Sequence, residues 1–358
     1  MSPSNNQKVL RVGLIGCGEV SQVVHIPTLS YMSDWFQITY LCDVSALALE
    51  HCAPKVSGAR PQTTANPEDL CASNDVDVVL VVSSDEYHSS HAVCALQHNK
   101  HVFVEKAVAL TSRDIQTIMT AEKSSKAKAM VGYMRCYASP FEDAVKEIGG
   151  LDKILYARVR DIIGKIHATD KSNRAKEMIA EAFEKDCGGI PVTDNSTLMW
   201  RILAGLGSHD LSVMREALGM PDKVVGTSLG FPFWTAIFQY PGFAVSYESG
   251  MDNIPRFDAH LEVYSNNKTV RVQYDTPYVK GLPVTMHIVE NVDGAYREST
   301  IRKSYEDPYT LELVAFWKLV VEGQPVKTTV ADALKDIEIS GMIMKHGYGE
   351  KLIHKKGD

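Results

Sequence analysis

The chain has 358 residues, of which 45% are hydrophobic and 23% charged, and its formal net charge is −7. This length fits about two domains, and the mild acidity argues against a dedicated nucleic-acid-binding protein, which would carry a basic surplus. No stretch reaches the ~18 consecutive apolar residues of a membrane span and the first residues contain no apolar signal core, so we expect a cytoplasmic protein without a membrane partner.

The first part of the chain alternates between short apolar runs and helical segments. Glycines close the first run, Val9–Ile15, and Asp43 closes the second, Ile38–Cys42. Between them Glu19–Tyr31 is predicted to be a helix that Pro27 kinks or ends. The later elements are predicted as strand, helix, strand, helix and strand: Val76–Ser83, His88–His98, His101–Glu105, Thr111–Ser125 and Ala127–Gly132. Strands that alternate with helices predict an α/β unit with a doubly wound parallel sheet.

The second part of the chain has a different pattern. Helices are predicted at Ser139–Ile148 and Thr197–Leu218, the latter interrupted by glycines, and Ile154–Arg160 alternates like a half-exposed strand. Further strand-like runs follow without helices between them: Ala236–Tyr240, Ala244–Glu248, Arg256–Ser265 and Thr269–Tyr274. The last two flank an Asn-Asn pair that predicts a hairpin turn. Consecutive strands predict an α+β domain with a large, mostly antiparallel open sheet, followed by helices near Pro308–Val321 and Val330–His346.

A glycine-rich turn, GCGEVS at residues 16–21, follows the first strand. Gly16 permits a tight turn, and Gly18 lets the backbone approach a pyrophosphate, with Glu19 and Val20 opening the helix beneath it. Ser21 stands at the third glycine position, where a small residue preserves helix–strand packing. The turn therefore predicts a dinucleotide site, with a plain glycine turn as the structural alternative.

Asp43 strengthens this prediction because it ends the second strand. A carboxylate at that place accepts hydrogen bonds from ribose hydroxyls and repels a 2′-phosphate. The next three residues, Val44–Ala46, include no Arg or Lys to hold such a phosphate. The sequence thus favours NAD as the cofactor, with NADP as the alternative. The seven cysteines include no CxxC pair, so we expect free thiols and no metal centre.

Several motifs resemble the Gfo/Idh/MocA family of oxidoreductases, which includes glucose–fructose oxidoreductase and inositol dehydrogenases. The stretch DVDVVLVVSSDEYHSSHAVCALQHNKHVFVEKAVAL occupies residues 75–110. Within it, Ser83–His88 corresponds to the family's Thr-Pro-Asn-x-x-His motif, and Glu105–Ala107 to its Glu-Lys-Pro motif with the proline replaced. VGYMRCY at 131–137 resembles the entry to the family's second domain, and GSHDL at 207–211 its Gly-x-His segment. The resemblance spans nearly the whole chain.

The resemblance implies an N-terminal Rossmann domain at 1–132 and a C-terminal α+β domain for substrate binding and oligomerisation at 133–358. The last helices are expected to pack back on the first domain. A homodimer or homotetramer through the C-terminal sheet is expected, and the substrate is expected to be a small polyhydroxylated molecule.

The resemblance also implies roles for particular residues. Lys106 and His209 are the expected catalytic groups, which polarise the substrate oxygen and transfer a proton. The expected cofactor contacts beyond the glycine turn and Asp43 are Ser83, Ser84, His88, Glu105, Lys106 and Arg135. For Arg135 a structural ion pair at the domain junction is an equal alternative. The chain departs from the family pattern at Gly205 and Ser212, where many members carry Asp.

Two residues of the predicted strand Ile154–Arg160, Arg158 and Arg160, share one face of it, near Asp161 and Lys165. They would either anchor an acidic substrate or form a solvated or interface face, and the second interpretation is favoured.

The leading hypothesis is an NAD(P)-dependent oxidoreductase acting on a secondary alcohol or ketone of a sugar, cyclitol or related metabolite. Since the usual Asp is missing at position 205, two alternatives stay open. One is a redox-neutral enzyme of the epimerase or lyase type that uses tightly bound NAD. The other is a non-catalytic regulatory protein that binds a dinucleotide.

Overall fold

Two units make up the protein in a computed structural model that describes residues 8–164 and 172–349. The first unit contains the chain up to Gly132 together with Tyr309–Leu334, and the second contains Tyr133–Pro308 and the chain from Lys335 onward. Lys165, which the sequence places near a basic strand face, lies outside the described residues.

The first unit is built on a six-stranded sheet in the order β3-β2-β1-β4-β5-β6, and every neighbouring pair in it is parallel. The strands are β1 Leu10–Ile15, β2 Phe36–Cys42, β3 Gln62–Thr64, β4 Val78–Val81, β5 His101–Glu105 and β6 Ala129–Gly132. All four residues of β4 are buried, as the unbroken apolar run predicts for a central parallel strand. The strand order reverses between β1 and β4, and such sheets bind nucleotides at the carboxyl ends of strands at this point.

Helices connect these strands. They are α1 Ile26–Tyr31, α2 Ala46–Cys52, α3 Pro67–Ala72, α4 Asp85–Gln97 and α5 Ser112–Ser124. A π-helical turn, Ser21–His25, leads directly into α1, and the helical backbone continues through Pro27 to Tyr31, so the helix does not end at Pro27. Thr111 caps α5 by accepting a hydrogen bond from the Asp114 amide, which explains why that helix begins where it does.

The second unit is built on an eight-stranded sheet in the order β14-β13-β12-β11-β7-β10-β9-β8. Its strands are β7 Ile154–Gly164, β8 Lys223–Gly230, β9 Phe233–Tyr240, β10 Phe243–Asp252, β11 Phe257–Ser265, β12 Lys268–Tyr274, β13 Thr285–Val292 and β14 Ala295–Ile301. Neighbouring strands are antiparallel except for β7 and β10. The predicted fold class, a parallel Rossmann sheet plus a mostly antiparallel one, is therefore confirmed, as is the β11–β12 hairpin.

Side chains alternate across this second sheet. In β9 Trp234, Ala236 and Phe238 are buried, whereas Phe233 and Ile237 are each 46% exposed. The unit's helices are α6 Ser139–Ile148, α7 Asn173–Lys185, α8 Asp194–Ile202 and α9 Ser208–Leu218, and α6 and α9 contact the sheet. The long helix predicted from the sequence is thus found as α8 and α9, joined by a π-helical turn at Leu203–Gly207.

Two closing helices follow, α10 Pro308–Glu322 and α11 Val330–Met344. Part of this segment completes the first unit. The indole of Trp317 donates a hydrogen bond to the Lys8 carbonyl, and the Val131 amide donates one to the Thr328 carbonyl, both at 2.9 Å. Within the described residues, no helix combines the length and the apolarity that crossing a membrane requires.

Candidate functional site

The turn after β1 has the shape that a dinucleotide site needs. Gly16 has a φ of +102°, and a Cβ there would lie 2.6 Å from the Ser83 backbone nitrogen, so only glycine fits. Gly18 is exposed, and no atom of the described residues lies within 4 Å of the point where its Cβ would stand. This open space beside a helix start is where a pyrophosphate approaches a Rossmann sheet, so the turn fits the expected cofactor.

Ser21 shows why the third glycine of the fingerprint is dispensable here. Its side chain is fully buried, and its hydroxyl donates a hydrogen bond to the Gly16 carbonyl. The side-chain amide of Gln22 donates a 2.8 Å hydrogen bond to the Cys17 carbonyl. These bonds hold the turn against the helix that follows it. Glu19 is exposed and Val20 half-buried beside this turn.

Asp43 is tied to the same turn. Its Oδ2 accepts a 2.7 Å hydrogen bond from the Cys17 amide, and its Oδ1 accepts a 2.8 Å bond from the Ser45 amide. The carboxylate is half-exposed at the end of β2. A carboxylate offers about four lone-pair sites, so capacity remains for ribose hydroxyls after these two bonds.

His88 holds the chain segments at the carboxyl end of β4 together and does not itself face the expected cofactor. Its ring is 2% exposed, and Nδ1 and Nε2 each lie 2.7 Å from a carbonyl oxygen, of Ala107 and Ser83 respectively. Burial lowers the pKa of His88, although the two carbonyls oppose this effect. The Ser83 hydroxyl lies 2.9 Å from His91 Nδ1, and Ser84 precedes α4 at its N-cap. His88 thus positions the chain around the residues expected to face the cofactor.

Lys106 follows a buried carboxylate at the end of β5. Glu105 is 5% exposed, its Oε1 lies 2.7 Å from His25 Nε2, and its Oε2 accepts a 3.1 Å hydrogen bond from the Lys106 amide. Burial alone would raise the pKa of Glu105, but the hydrogen bond from His25 and the charge of Lys106 outweigh it, so that pKa is lowered. The Lys106–Ala107 peptide bond is cis. The arrangement provides an ionised carboxylate directly beside the half-buried lysine.

The sequence analysis missed His25. This side chain is fully buried, and its ring packs edge-on against Phe103 and Tyr309. The sequence offered one signal for it: a histidine that follows the glycine turn and directly precedes an apolar helix. Its partner, Glu105, lies too far along the chain for spacing to reveal the pair.

In the second unit, Arg135 is held in a buried cluster with two carboxylates. The guanidinium donates to Asp210 Oδ1 and, at 3.1 Å, to Asp161 Oδ2, and Arg135 is 2% exposed. Burial and the charge of Asp161 raise the pKa of Asp210, with Arg135 opposing the shift. Tyr274 and Phe257 lie under the cation at 5.2 and 5.5 Å. This environment matches the structural ion pair that the sequence left as the alternative to cofactor binding.

His209 is the second residue of α9 and is half-buried. The π-helical turn just before it contains Gly205 and ends at Gly207. Among the described residues, nothing lies within 4 Å of where a Cβ would stand at Gly205, whereas at Gly207 it would lie 3.2 Å from Tyr247 Oη. The position of the usual family Asp is therefore open space here. A π-helical turn in a longer helix is frequent at functional sites.

The basic face of β7 is paired with acids from neighbouring strands. Arg158 lies 3.3 Å from Glu248, and Arg160 lies 3.0 Å from Asp258. Each arginine therefore already has an acidic partner on the sheet and needs no acidic substrate. The pairs are partly exposed, which agrees with the favoured interpretation of a solvated or interface face.

Comparison with known proteins agrees with this geometry. A family model described as an oxidoreductase family with an NAD-binding Rossmann fold, GFO_IDH_MocA, matches residues 10–133. Inositol 2-dehydrogenase of Salmonella typhimurium is 32% identical over 129 residues, which is 36% of this chain and 38% of the relative. The 1-carboxy-3-chloro-3,4-dihydroxycyclo hexa-1,5-diene dehydrogenase of Comamonas testosteroni is 29% identical, covering 63% of this chain and 51% of the relative. The matches to these two relatives span about half of their length or less.

Solved structures share the fold over nearly the whole chain. One is a putative NADPH-dependent oxidoreductase from Desulfitobacterium hafniense, with a TM-score of 0.77 at 14% identity, covering 96% of this chain and 97% of that one. Another is KijD10, a 3-ketoreductase from Actinomadura kijaniata solved with NADP, with a TM-score of 0.71 at 16% identity, covering 93% and 96%. Identities this low show the fold alone. Residues 10–133 are therefore similar to the NAD-binding Rossmann fold of the Gfo/Idh/MocA oxidoreductase family.

Proposed function

We propose that the protein is an NAD(P)-dependent oxidoreductase that moves a hydride to or from a secondary alcohol or ketone of a sugar, cyclitol or related polyhydroxylated metabolite. The observation that carries the proposal is the edge formed by the carboxyl ends of β1, β2 and β5. There Gly18 leaves room for a pyrophosphate, Asp43 offers a carboxylate, and Lys106 stands beside an ionised Glu105. The named dehydrogenase relatives support a hydroxylated ring as substrate.

The cofactor contacts follow from this edge. The bound nicotinamide supplies the hydride chemistry, and the protein supplies orientation and proton transfer. The backbone at Gly16 and Gly18 would hold the pyrophosphate, and Asp43 would accept the ribose hydroxyls. NAD is the favoured cofactor because the Asp43 carboxylate repels a 2′-phosphate. His88 holds the backbone of Ser83 and Ala107 in place and makes no direct contact in this scheme.

Proton transfer is assigned to Lys106 and His209. The Lys106 ammonium would hydrogen-bond to the substrate oxygen and stabilise the charge that develops there. Glu105, held by His25, keeps a negative charge next to this ammonium and fixes the local backbone. His209 would exchange the proton with solvent or substrate, as a group that titrates near neutral pH can do. Arg135 is given a structural role, since its buried carboxylate partners account for its position.

The test is steady-state kinetics with a panel of cyclitols, sugars and their ketones, followed by the absorbance of reduced nicotinamide with NAD and NADP. Lys106→Met and His209→Gln should each lower kcat by at least ~100-fold, the usual contribution of a general acid or base. Lys128→Met, on the same unit, is the matched lysine control. Turnover within threefold of wild type in both variants would remove them from the mechanism.

One observation favours a second function. Gly205 stands where many members of the resembled family carry an Asp, and no described atom lies within 4 Å of its Cβ position, which supports the absence of that acid. A redox-neutral reaction on permanently bound NAD, of the epimerase or lyase type, needs no net hydride exchange with free cofactor. Denaturing the purified protein and identifying released nucleotide separates the two: stoichiometric NAD favours the redox-neutral enzyme, and free exchange with substrate-dependent reduction favours the dehydrogenase. Cofactor binding without turnover would favour a regulatory protein.

We also propose that the second sheet joins copies of the chain into a homodimer or homotetramer. Its exposed apolar side chains support this, since several alternate with buried ones along strands: Leu155, Val225, Phe233 and Ile237 are 45–55% exposed. Phe233 and Ile237 lie four residues apart on one face of β9, and exposed apolar surface shared by neighbouring side chains favours a protein interface. Sedimentation of wild type against a Phe233→Glu, Ile237→Lys double variant tests it, and an unchanged oligomer would exclude this face.

A further inference from the structure

A group of side chains that the proposed reaction does not use converges between α3 and α4 in the first unit. Glu68 Oε1 lies 3.0 Å from His98 Nε2, and the Cys94 thiol donates a 3.2 Å hydrogen bond to Glu68 Oε2. The three ligand atoms all lie within 4.8 Å of one another. Thiolate sulfur, imidazole nitrogen and carboxylate oxygen are the three donor types that bind Zn²⁺ in proteins, and a tetrahedral ion holds its donors at about this spacing.

Helix geometry explains why these side chains meet. Cys94 lies four residues before His98, so both point to one side of the C-terminal end of α4. Glu68 lies in the first turn of α3 and supplies the third donor. Two donors thus come from the end of α4 and one from the start of α3.

In the metal-free protein, the thiol proton of Cys94 lies on the hydrogen bond to Glu68. A divalent ion that bound this sulfur would replace that proton and release it to solvent.

The orientation of His98 is already that of a ligand. Its Nδ1 lies 3.0 Å from the Cys94 carbonyl oxygen, which can only accept, so Nδ1 carries the proton. Nε2 is then the nitrogen that faces Glu68 and Cys94, and a bound ion would replace the proton between Nε2 and Glu68. A backbone carbonyl holding the second nitrogen in this way is the usual support for a metal-binding histidine.

We propose that Glu68, Cys94 and His98 form a zinc site that ties α3 to α4, with a water molecule as the fourth ligand. The thiolate sulfur and the imidazole nitrogen select a borderline-soft ion such as Zn²⁺ over Mg²⁺ or Ca²⁺, which take oxygen ligands. None of the three donors is assigned to the proposed reaction, so the site acts on stability and not on that reaction.

The test uses the full-length protein kept reduced, stripped of metal with a chelator and titrated with Co²⁺ and then Zn²⁺. The expected result is one Co²⁺ per chain, with the thiolate charge-transfer band and the intense visible bands of a tetrahedral site, and displacement by Zn²⁺. Cys94→Ser and His98→Gln should each weaken Zn²⁺ binding at least ~100-fold, because losing only an outer-shell partner already weakens it 10- to 100-fold. His51→Gln, at another helix end of the same unit, should bind like wild type.

Thermal unfolding gives a second measurement that does not depend on activity. Zn²⁺ should raise the midpoint of wild type and of His51→Gln but not of Cys94→Ser, because binding to the folded state alone stabilises it. The proposal is overturned if wild type shows no tetrahedral thiolate spectrum with Co²⁺. It is equally overturned if both ligand variants bind as tightly as His51→Gln.

Discussion

His25 Nε2 and Glu105 Oε1 lie 2.7 Å apart in the interior of the first unit, and they join the segment behind the glycine turn to the residue before Lys106. The two side chains are 0% and 7% exposed, so the pair is shielded from bulk solvent. One buried hydrogen bond therefore links the segment of the cofactor turn to the segment of the proposed catalytic lysine.

The first prediction concerns this pair and pH. Glu105→Gln should lower the midpoint of urea unfolding at neutral pH, by the equivalent of about 2 kcal/mol for a mismatched buried hydrogen bond. The folded pKa of Glu105 is below its ordinary value of 4.5, so its ionised form contributes stability above that value and loses it as pH falls through the folded pKa. The difference between wild type and Glu105→Gln should therefore shrink on acidification below this range. A difference that stays constant with pH would contradict the ionised pair.

The second prediction concerns cofactor affinity at Asp43. Asp43→Ala should raise the Kd for NAD about tenfold, the equivalent of one lost charge-assisted hydrogen bond, and should reduce any preference over NADP. Calorimetric titration with both nucleotides measures this. Asp75→Ala removes a carboxylate that lies before β4, away from the carboxyl ends of the strands, and should leave the Kd unchanged. An unaltered Kd in Asp43→Ala would exclude Asp43 from the site.

The third prediction separates the two glycines of the turn. Gly16→Ala should lower the melting temperature, since its Cβ would collide with the Ser83 backbone and its φ is +102°. Gly18→Ala should leave the melting temperature nearly unchanged because its Cβ meets no described atom, yet it should weaken NAD binding by filling the space meant for the pyrophosphate. The pair is its own control. Tight NAD binding in a folded Gly18→Ala protein would place the cofactor elsewhere.

The fourth prediction restores the missing family carboxylate. Gly205→Asp should fold like wild type, since its Cβ stands in open space, whereas Gly207→Asp should lose stability against Tyr247. If net dehydrogenation is the reaction, the new carboxylate four residues before His209 should raise kcat severalfold on the best polyol of the panel. Circular dichroism and initial rates measure both effects. A folded Gly205→Asp variant with lower turnover would favour the redox-neutral alternative.

The fifth prediction concerns Arg135. Arg135→Met should destabilise the protein by about 3–5 kcal/mol, because it leaves two carboxylates buried without their cation. The additional change Asp210→Asn should recover part of this loss, since Asp210 already has a raised pKa and favours the neutral form. The Kd for NAD, measured on whichever variant folds, should stay within threefold of wild type. A large rise in that Kd would return Arg135 to the cofactor site.

Most elements of the fold could be predicted from local signals in the sequence. The buried run of β4, the alternation of β11 and β12, and the capped helix α5 could be predicted because burial and periodicity are written in neighbouring residues. Two of the elements that were not predicted, β3 and β14, lack those signals. β3 has only three residues, none of them buried, and most of β14 is exposed, so it has no apolar face to detect.

The candidate site divides in the same way. Gly16, Gly18 and Asp43 follow a spacing that comes from the shape of a dinucleotide, so a single sequence reveals them. His25 with Glu105, and Arg135 with Asp161 and Asp210, are tertiary pairings between distant segments that no spacing rule links. The proposed zinc donors include only one cysteine and come from two separate helices, and for that reason a search for paired cysteines did not find them.

The first unit also has a consequence for how the protein is made. Lys8 and Val131 receive their partners, Trp317 and Thr328, from a segment translated more than a hundred and eighty residues later. On the ribosome the nucleotide-binding sheet can form its strands early, but it leaves Phe103 without Phe316 until translation is nearly complete. The newly made Rossmann sheet therefore keeps part of its apolar surface uncovered for most of synthesis.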